Sequence, residues 1–346
     1  MRKLSILLVG VVVIALLSGL AISCVSEEPG ETEKSPEPVV LKFASAATAE
    51  YQNPEKGFAE AFNERCGPDY KIEYYGAGSM LSFGELLDGV RTGAADIGAI
   101  TPSSASADDA RLGATEMPFL FNNIDAAIYA TKDLKPLFNG ILEEKFNQKL
   151  MCLHNYTSVE ILSTKPVKTL EDWDGLLVQA VSPSTSALVE SLGGAAVSSI
   201  PYTEAYSALE KGTVDASINA PAAMRLFKLY EIAEYLTTSY MNAAFHGFSI
   251  NQDTWNKLPE DVQDIMMEEA QKASDDIDEW LIGEWDSDFE KLSDLGVEVY
   301  HVPQSELERW REACQPYIDN QMEKLGDSGE KVVEIAETAN AEYPRE

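Results

Sequence analysis

The stretch VRTGAADIGAI at residues 90 to 100 has a near echo, LEKGTVDASIN, at residues 209 to 219. Aligned on their glycines, the copies set Glu85, Gly93 and Asp96 against Glu204, Gly212 and Asp215 at identical spacings. Each copy reads as the end of a helix, a left-handed glycine turn, an Asp able to satisfy turn amides, and a strand. A chain that repeats such a unit is expected to build two similar α/β lobes, one copy in each.

The flanking segments obey the same grammar twice. VVLKFASAA (39 to 47) reads as a strand, Asn53-Pro54 as a helix start, and YKIEYYGAG (70 to 78) as a second strand. Ser82 and Glu85 form a capping box for the helix ending at Gly93, and ADIGAIT is the third strand. The second half restarts after LSTKPVKTLEDWDG, where Thr169 and Asp172 cap a short turn. LLVQAV is then a strand, Ser182-Pro183 caps a helix through Leu192, AAVSSI is a strand, and a helix from Thr203 ends at Gly212. From Pro259 to Asp294 a helical period continues without a break through Val262, Met266, Ala270, Ala273, Ile277 and Leu292. Such a helix is roughly 50 Å long, enough to lie across both lobes. A last helix carrying Leu307, Trp310 and Tyr317 is expected to be interrupted near Pro316.

With 346 residues the chain suits two domains. Its formal charge of −32 argues against nucleic acid, which needs clustered cations. The N-terminus joins Arg2 and Lys3 to an apolar run and then small residues ending on Cys24. That pattern predicts a secretory signal over 1–23 with Cys24 as a lipid-modified first residue holding the protein at a membrane. Residues 24–38, rich in Glu, Pro and Ser, form a flexible tether. Cys66, Cys152 and Cys314 permit at most one disulfide, and Cys66 with Cys314 is the reasonable pair, which the sequence does not establish. None has a metal-ligand spacing.

No nucleophile elbow, zinc-protease helix, phosphate loop or dinucleotide fingerprint is present. Polar residues instead gather where strands end, the place at which open α/β sheets hold ligands. Ala46, Thr48 and Tyr51 follow the first strand, Ser79 the second, and Thr101, Ser103 and Ser104 the third. Ser182, Ser184 and Thr185 follow LLVQAV, and Asn219 follows TVDASI. Free amides and helix dipoles there suit an anionic or hydroxylated ligand, so a binding cleft is expected. His246 is placed to reach the interlobe space, while His301 reads as exposed.

MPFLFNNIDAA, LSTKPVKTLEDWDGLLVQAVSPSTSA, YTEAYSALEKGTVDASINAP, KLYEIAEYLT and INQDTWNKLPEDVQ fall in order from about residue 40 to 325. Through them the chain resembles the DctP-family solute-binding proteins of tripartite ATP-independent periplasmic (TRAP) transporters. The resemblance implies a two-lobed, periplasmic-binding-protein-like (Venus-flytrap) α/β fold with a long helix spanning both lobes. Lobe I would comprise 39–156 and 245–284, and lobe II 157–244 and 285–346. It further implies an extracytoplasmic receptor that closes on a small organic solute and delivers it to integral-membrane permease subunits, with no cofactor and no catalysis. The family's GLKIRV, whose arginine pairs with the ligand carboxylate, is GLLVQAV here, which puts Gln179 at the arginine position. Asn219 agrees with the family's asparagine. Arg225 or a bridging metal would restore binding of an organic acid. Otherwise the solute is neutral, hydroxylated or aromatic, stacked on Tyr51, Phe83, Tyr156 and Phe245. Glu160, near where some relatives carry a second cation, also fits poorly with a strongly anionic solute. A sensory receptor and an extracytoplasmic hydrolase are the alternatives.

Overall fold

The computed structural model describes residues 38–47, 52–180 and 182–345. The segment 1–23 expected as a signal, Cys24, Thr48 and Tyr51 lie outside the described residues. The first half runs β1 (Val39–Ala44), α1 (Gln52–Cys66), β2 (Tyr70–Tyr75), α2 (Leu86–Thr92), β3 (Ile97–Ile100), α3 (Ile124–Phe146), β4 (Gln148–Leu150) and β5 (His154–Ser158). There follow β6 (Glu160–Ser163), β7 (Leu177–Gln179), α4 (Pro183–Ser191), β8 (Ala195–Val197), α5 (Ala205–Glu210), β9 (Ala216–Asn219), α6 (Pro221–Leu226) and β10 (Tyr235–Thr238). The chain ends with β11 (Ala243–Asn251), α7 (Gln252–Trp255), α8 (Glu260–Asp294), β12 (Glu298–His301), α9 (Gln304–Leu325) and α10 (Asp327–Glu342).

Two six-stranded sheets result, ordered β2-β1-β3-β11-β4 with β5 beside β11, and β12-β10-β6-β9-β7-β8. The repeat is visible in their pairing. In each sheet three parallel strands (β2, β1, β3 and β8, β7, β9) are followed by one antiparallel strand, β11 or β6. Gly93 and Gly212 turn with φ of 78° and 65°, a left-handed conformation that glycine adopts without steric cost. The aspartates grip a neighbouring strand rather than their own turn. Asp96 donates its N–H to Lys42 O (3.0 Å) and accepts from Lys42 N (2.9 Å). Asp215 does the same with Leu177, at 2.7 and 3.1 Å.

The expected caps are present: Glu85 accepts the Ser82 N–H at 2.9 Å, and Asp172 the Thr169 N–H at 2.8 Å. Helix α8 spans both lobes. Val262 to Ile277 pack with α1 and the first sheet, while Leu292 joins the core of α5, α6 and β10. Two expectations about the C-terminal part need correction. Pro316 does not interrupt α9, which continues to Leu325. Its ring is exposed, so the carbonyl it strips of a partner can meet water. Second, residues 285–346 do not all belong to lobe II: Val332, Ala336 and Ala339 of α10 pack into the core around α3 in lobe I. The three described cysteines are free and buried. Cys66 and Cys314 sit in the cores of different lobes and form no disulfide.

Candidate functional site

Antiparallel β6 and β11 begin at the edge where the parallel strands of their sheets end. In each sheet the polar strand ends and helix starts therefore lie at the same edge as the two crossing segments, β5 to β6 and β10 to β11. Thr101 follows β3, and its Oγ1 is buried without a partner, while its carbonyl accepts from Ser104 Oγ (2.7 Å). Ser103 is half-buried in the next turn. Ser79 is exposed in the turn after edge strand β2, two strands away from β3.

Lobe II contributes Asn219 at the end of β9. Its Oδ1 accepts from Ala220 N (2.9 Å), leaving a buried Nδ2 without a partner. Such a donor costs about 1–3 kcal/mol until something accepts from it. Ser182 caps α4 through the Thr185 N–H (3.2 Å), and its hydroxyl meets Ser184 Oγ at 3.0 Å. Ser184 in turn donates to Glu116 Oε2 at 2.6 Å. Glu116, from the turn before the MPFLF stretch, thus carries a carboxylate of the chain itself to the N-terminal turn of α4, where the helix dipole favours negative charge.

Gln179 departs from the expected wall position. It is fully buried, donating from Nε2 to Ile200 O (3.0 Å) and Pro201 O (2.8 Å) and accepting from Ser217 Oγ (2.7 Å). The side chain staples the β8–α5 connection to β7 and β9 instead of projecting outward. Arg225 is likewise engaged, through Nε on buried Asp288 of α8 at 2.9 Å.

On the lobe I side Tyr156 stacks on His246 with ring centroids 3.7 Å apart and planes 9° from parallel. His246 continues toward Phe83 at 6.0 Å. Phe83 is half-exposed, so this aromatic wall has an open end. Burial, aided by nearby His154, holds His246 well below the usual imidazole range and keeps it neutral. Phe245 does not belong to the wall; it is core, packed edge-on against Phe121.

Glu160 sits where the two crossing segments meet. It is fully buried, and its carboxyl takes the N–H groups of Ser239 (2.7 Å) and Tyr240 (3.0 Å), tying one crossing segment to the other. Burial pushes its pKa up to about 8. Sequence reasoning missed Glu55, buried in the first turn of α1, whose carboxyl accepts from Ser45 Oγ (3.0 Å) and the Tyr74 hydroxyl and is pushed up to about 7 by burial. An acidic residue there reads as a simple complement to the helix dipole. Buried Asp278, which accepts from Asn155 N (3.0 Å) and is pushed up to about 8, was equally hidden within the polar face of α8.

The family model for bacterial extracellular solute-binding protein, family 7 (DctP), matches residues 42–325. The C4-dicarboxylate-binding periplasmic protein DctP of Rhodobacter capsulatus is 23% identical over 322 residues, covering 90% of this chain and 94% of its own. A solute-binding protein of Sulfitobacter sp. is 26% identical over 219 residues, covering 62% and 66%. Among solved structures, a TRAP periplasmic solute-binding protein from Ochrobactrum anthropi, with its C-terminus bound in its ligand-binding pocket, superposes with a TM-score of 0.83. It is 24% identical and covers 88% of this chain and 97% of its own. A Pseudomonas putida TRAP protein with bound D-glucuronate gives a TM-score of 0.76 at 20% identity, covering 85% and 96%. Two lobes of repeated design, a helix laid across both, and a match spanning most of the sequence agree: the chain belongs to the DctP family of extracellular solute-binding proteins, the receptors of TRAP transport.

Proposed function

We propose that this protein captures one small organic solute between its lobes outside the cytoplasm and hands it to the integral-membrane subunits of a TRAP transporter. We further propose that the solute is neutral, hydroxylated or aromatic. The observation that carries the second part is the buried amide of Gln179, bonded to two carbonyls and a serine, at the position to which the family resemblance assigns a carboxylate-pairing arginine. Three features support it. Arg225 would have to leave Asp288 to serve an anion, the N-terminus of α4 already faces Glu116, and the wall of Tyr156, His246 and Phe83 is uncharged. Closure would let Asn219 Nδ2 find its acceptor on the solute. Binding free energy is then the whole of the protein's contribution, offsetting the cost of bringing the lobes together. Cys24, as a lipid-bearing N-terminus, would keep the receptor at the membrane surface.

Thermal-shift screening against matched carboxylates and neutral compounds tests this reading. A solute at a hundredfold its Kd stabilises the receptor by about 2.7 kcal/mol. Neutral polyols or aromatic compounds are expected to raise the Tm. If only acids do so, as the glucuronate complex of the P. putida relative would suggest, the neutral-solute reading fails.

A further inference from the structure

Beside the hinge lies a second cavity, of about 550 Å³, whose lining includes Glu160, Ser239, Tyr240, Trp285, Asp286 and Arg345. It shares none of Thr101, Tyr156, Gln179, Ser182, Asn219 or His246 with the cleft. Arg345 enters it from the C-terminal tail beyond α10. Its Nε and Nη2 both donate to Asn122 O, at 3.0 and 2.7 Å, and Nη2 also donates to Ser239 O at 2.9 Å. Asn122 precedes α3 in lobe I, whereas Ser239 begins the crossing segment that leaves β10 in lobe II. One planar cation therefore ties the two lobes together at the point about which they would move.

The tail is held so that the arginine arrives in register. Asn122 N donates to Asn340 Oδ1 (2.8 Å), Asn340 Nδ2 to Leu120 O (2.9 Å), and Asn123 Nδ2 to the carbonyls of Tyr343 (3.3 Å) and Pro344 (3.4 Å). The Tyr343 ring packs 5.5 Å from that of Tyr129 on α3. Glu160, which braces the Ser239–Tyr240 backbone, feels the Arg345 charge across the cavity. Two adjacent donors chelating one oxygen while a third reaches another is a guanidinium geometry; an ammonium, with its compact tetrahedral head, does not reproduce it.

We propose that the two carbonyls at the wall of the hinge cavity, Asn122 O and Ser239 O, form a guanidinium-binding site occupied by the chain's own Arg345, and that this internal ligand sets the spacing of the lobes in the solute-free receptor. The proposal does not depend on which solute the cleft takes. It is tested on the full chain, with Cys24 replaced by Ser and spin labels at Glu64→Cys on α1 and Lys211→Cys after α5, both exposed, while Cys66, Cys152 and Cys314 are buried. Electron–electron distance measurement on Arg345→Ala is expected to show an interlobe distribution displaced by several ångströms and broadened, with Arg345→Lys intermediate. Millimolar methylguanidinium should restore the wild-type distribution in Arg345→Ala, and methylammonium should not. A distribution in Arg345→Ala identical to wild type overturns the proposal, as does equal rescue by the two cations. If Arg345→Ala does not fold, Arg345→Gln, which lacks the charge and the fork, carries the same measurement with the same deciding outcomes.

Discussion

Alanine at position 179 should reveal how much a buried amide holds up the lobe II side of the cleft. Gln179 makes three hydrogen bonds, to Ile200 O, Pro201 O and Ser217 Oγ, at 3.0, 2.8 and 2.7 Å. At about 0.5–1.5 kcal/mol each, their loss sums to about 1.5–4.5 kcal/mol, before any cavity term. Urea denaturation should show a lower midpoint at unchanged slope, because the exposed surface on unfolding is the same. The arginine variant separates scaffold from ligand chemistry. A guanidinium cannot fit between the two carbonyls and Ser217 without moving the Ile200–Pro201 connection, so Gln179→Arg should weaken binding of the native solute. If the new cation reaches the cleft, it should add affinity for carboxylates of about 1.5–3 kcal/mol, roughly tenfold to a hundredfold. Isothermal titration of both ligand classes reads the two effects. An alanine variant destabilised by less than about 0.5 kcal/mol refutes the stapling argument. Native affinity unchanged in Gln179→Arg would show that the Ile200–Pro201 connection held by this residue does not shape the solute site.

The remaining predictions concern charge and the aromatic wall. Glu55, Glu160 and Asp278 are pushed up to about 7, 8 and 8, so the stability that comes from keeping them protonated is fully present below the ordinary carboxyl range, falls as pH rises above it, and is gone once pH passes 7 to 8. Buried His154 and half-buried His246 act oppositely, their neutral forms costing stability as pH falls below the ordinary imidazole range. Between about pH 6.5 and 8 the carboxyls act alone, each contributing a slope of up to about 1.4 kcal/mol per pH unit. Scanning calorimetry should therefore show a falling Tm across that interval and a flatter one in Asp278→Asn; a rising wild-type Tm contradicts the assignment. Tyr156→Leu keeps bulk but removes the ring stacked on His246, and should lower affinity for a ring-bearing solute by up to about tenfold, from about 0.5–1.5 kcal/mol of aromatic contact. Equal affinity in titration would mean that the wall does not touch the solute.

Features written in short-range pattern were legible in the sequence. The strand–helix–strand alternation, the Ser82 and Thr169 capping boxes and the unbroken period of α8 each lie within a few turns of chain. What escaped depends on partners far along the sequence. Nothing near Gln179 announces that Ile200 and Pro201 will turn their carbonyls onto it, and nothing near Arg225 points to Asp288, 63 residues away. The return of α10 to α3 is hidden for the same reason: its apolar face fits either lobe, and the choice is made by Asn340 bonding to Leu120 and Asn122. Phe245 looked like a ligand contact because aromatic residues read alike in a buried core and a cleft wall, and strand alternation decides between it and its neighbour His246.

The duplicated Gly-x-x-Asp signature leads to one last test. In each lobe an aspartate at the entry of a parallel strand exchanges two hydrogen bonds with the adjacent strand, Asp96 with Lys42 and Asp215 with Leu177. A charge-assisted bond from carboxylate to amide is worth about 1.5–3 kcal/mol, less where water reaches it. Asp96 also accepts from Thr254 Oγ1 at 3.1 Å, whereas Asp215 faces the exposed ammonium of Lys165 at 3.4 Å. Asp96→Ala should therefore cost more than Asp215→Ala. The two sites lie in different lobes with no shared partner, so the double variant should lose the sum of the single losses. Amide hydrogen exchange locates the damage: Lys42 N–H should lose protection only in the first variant and Leu177 N–H only in the second. If instead either substitution exposed both amides, the lobes would be one cooperative unit at these strands, and the repeat would not represent two halves that each hold their own sheet together.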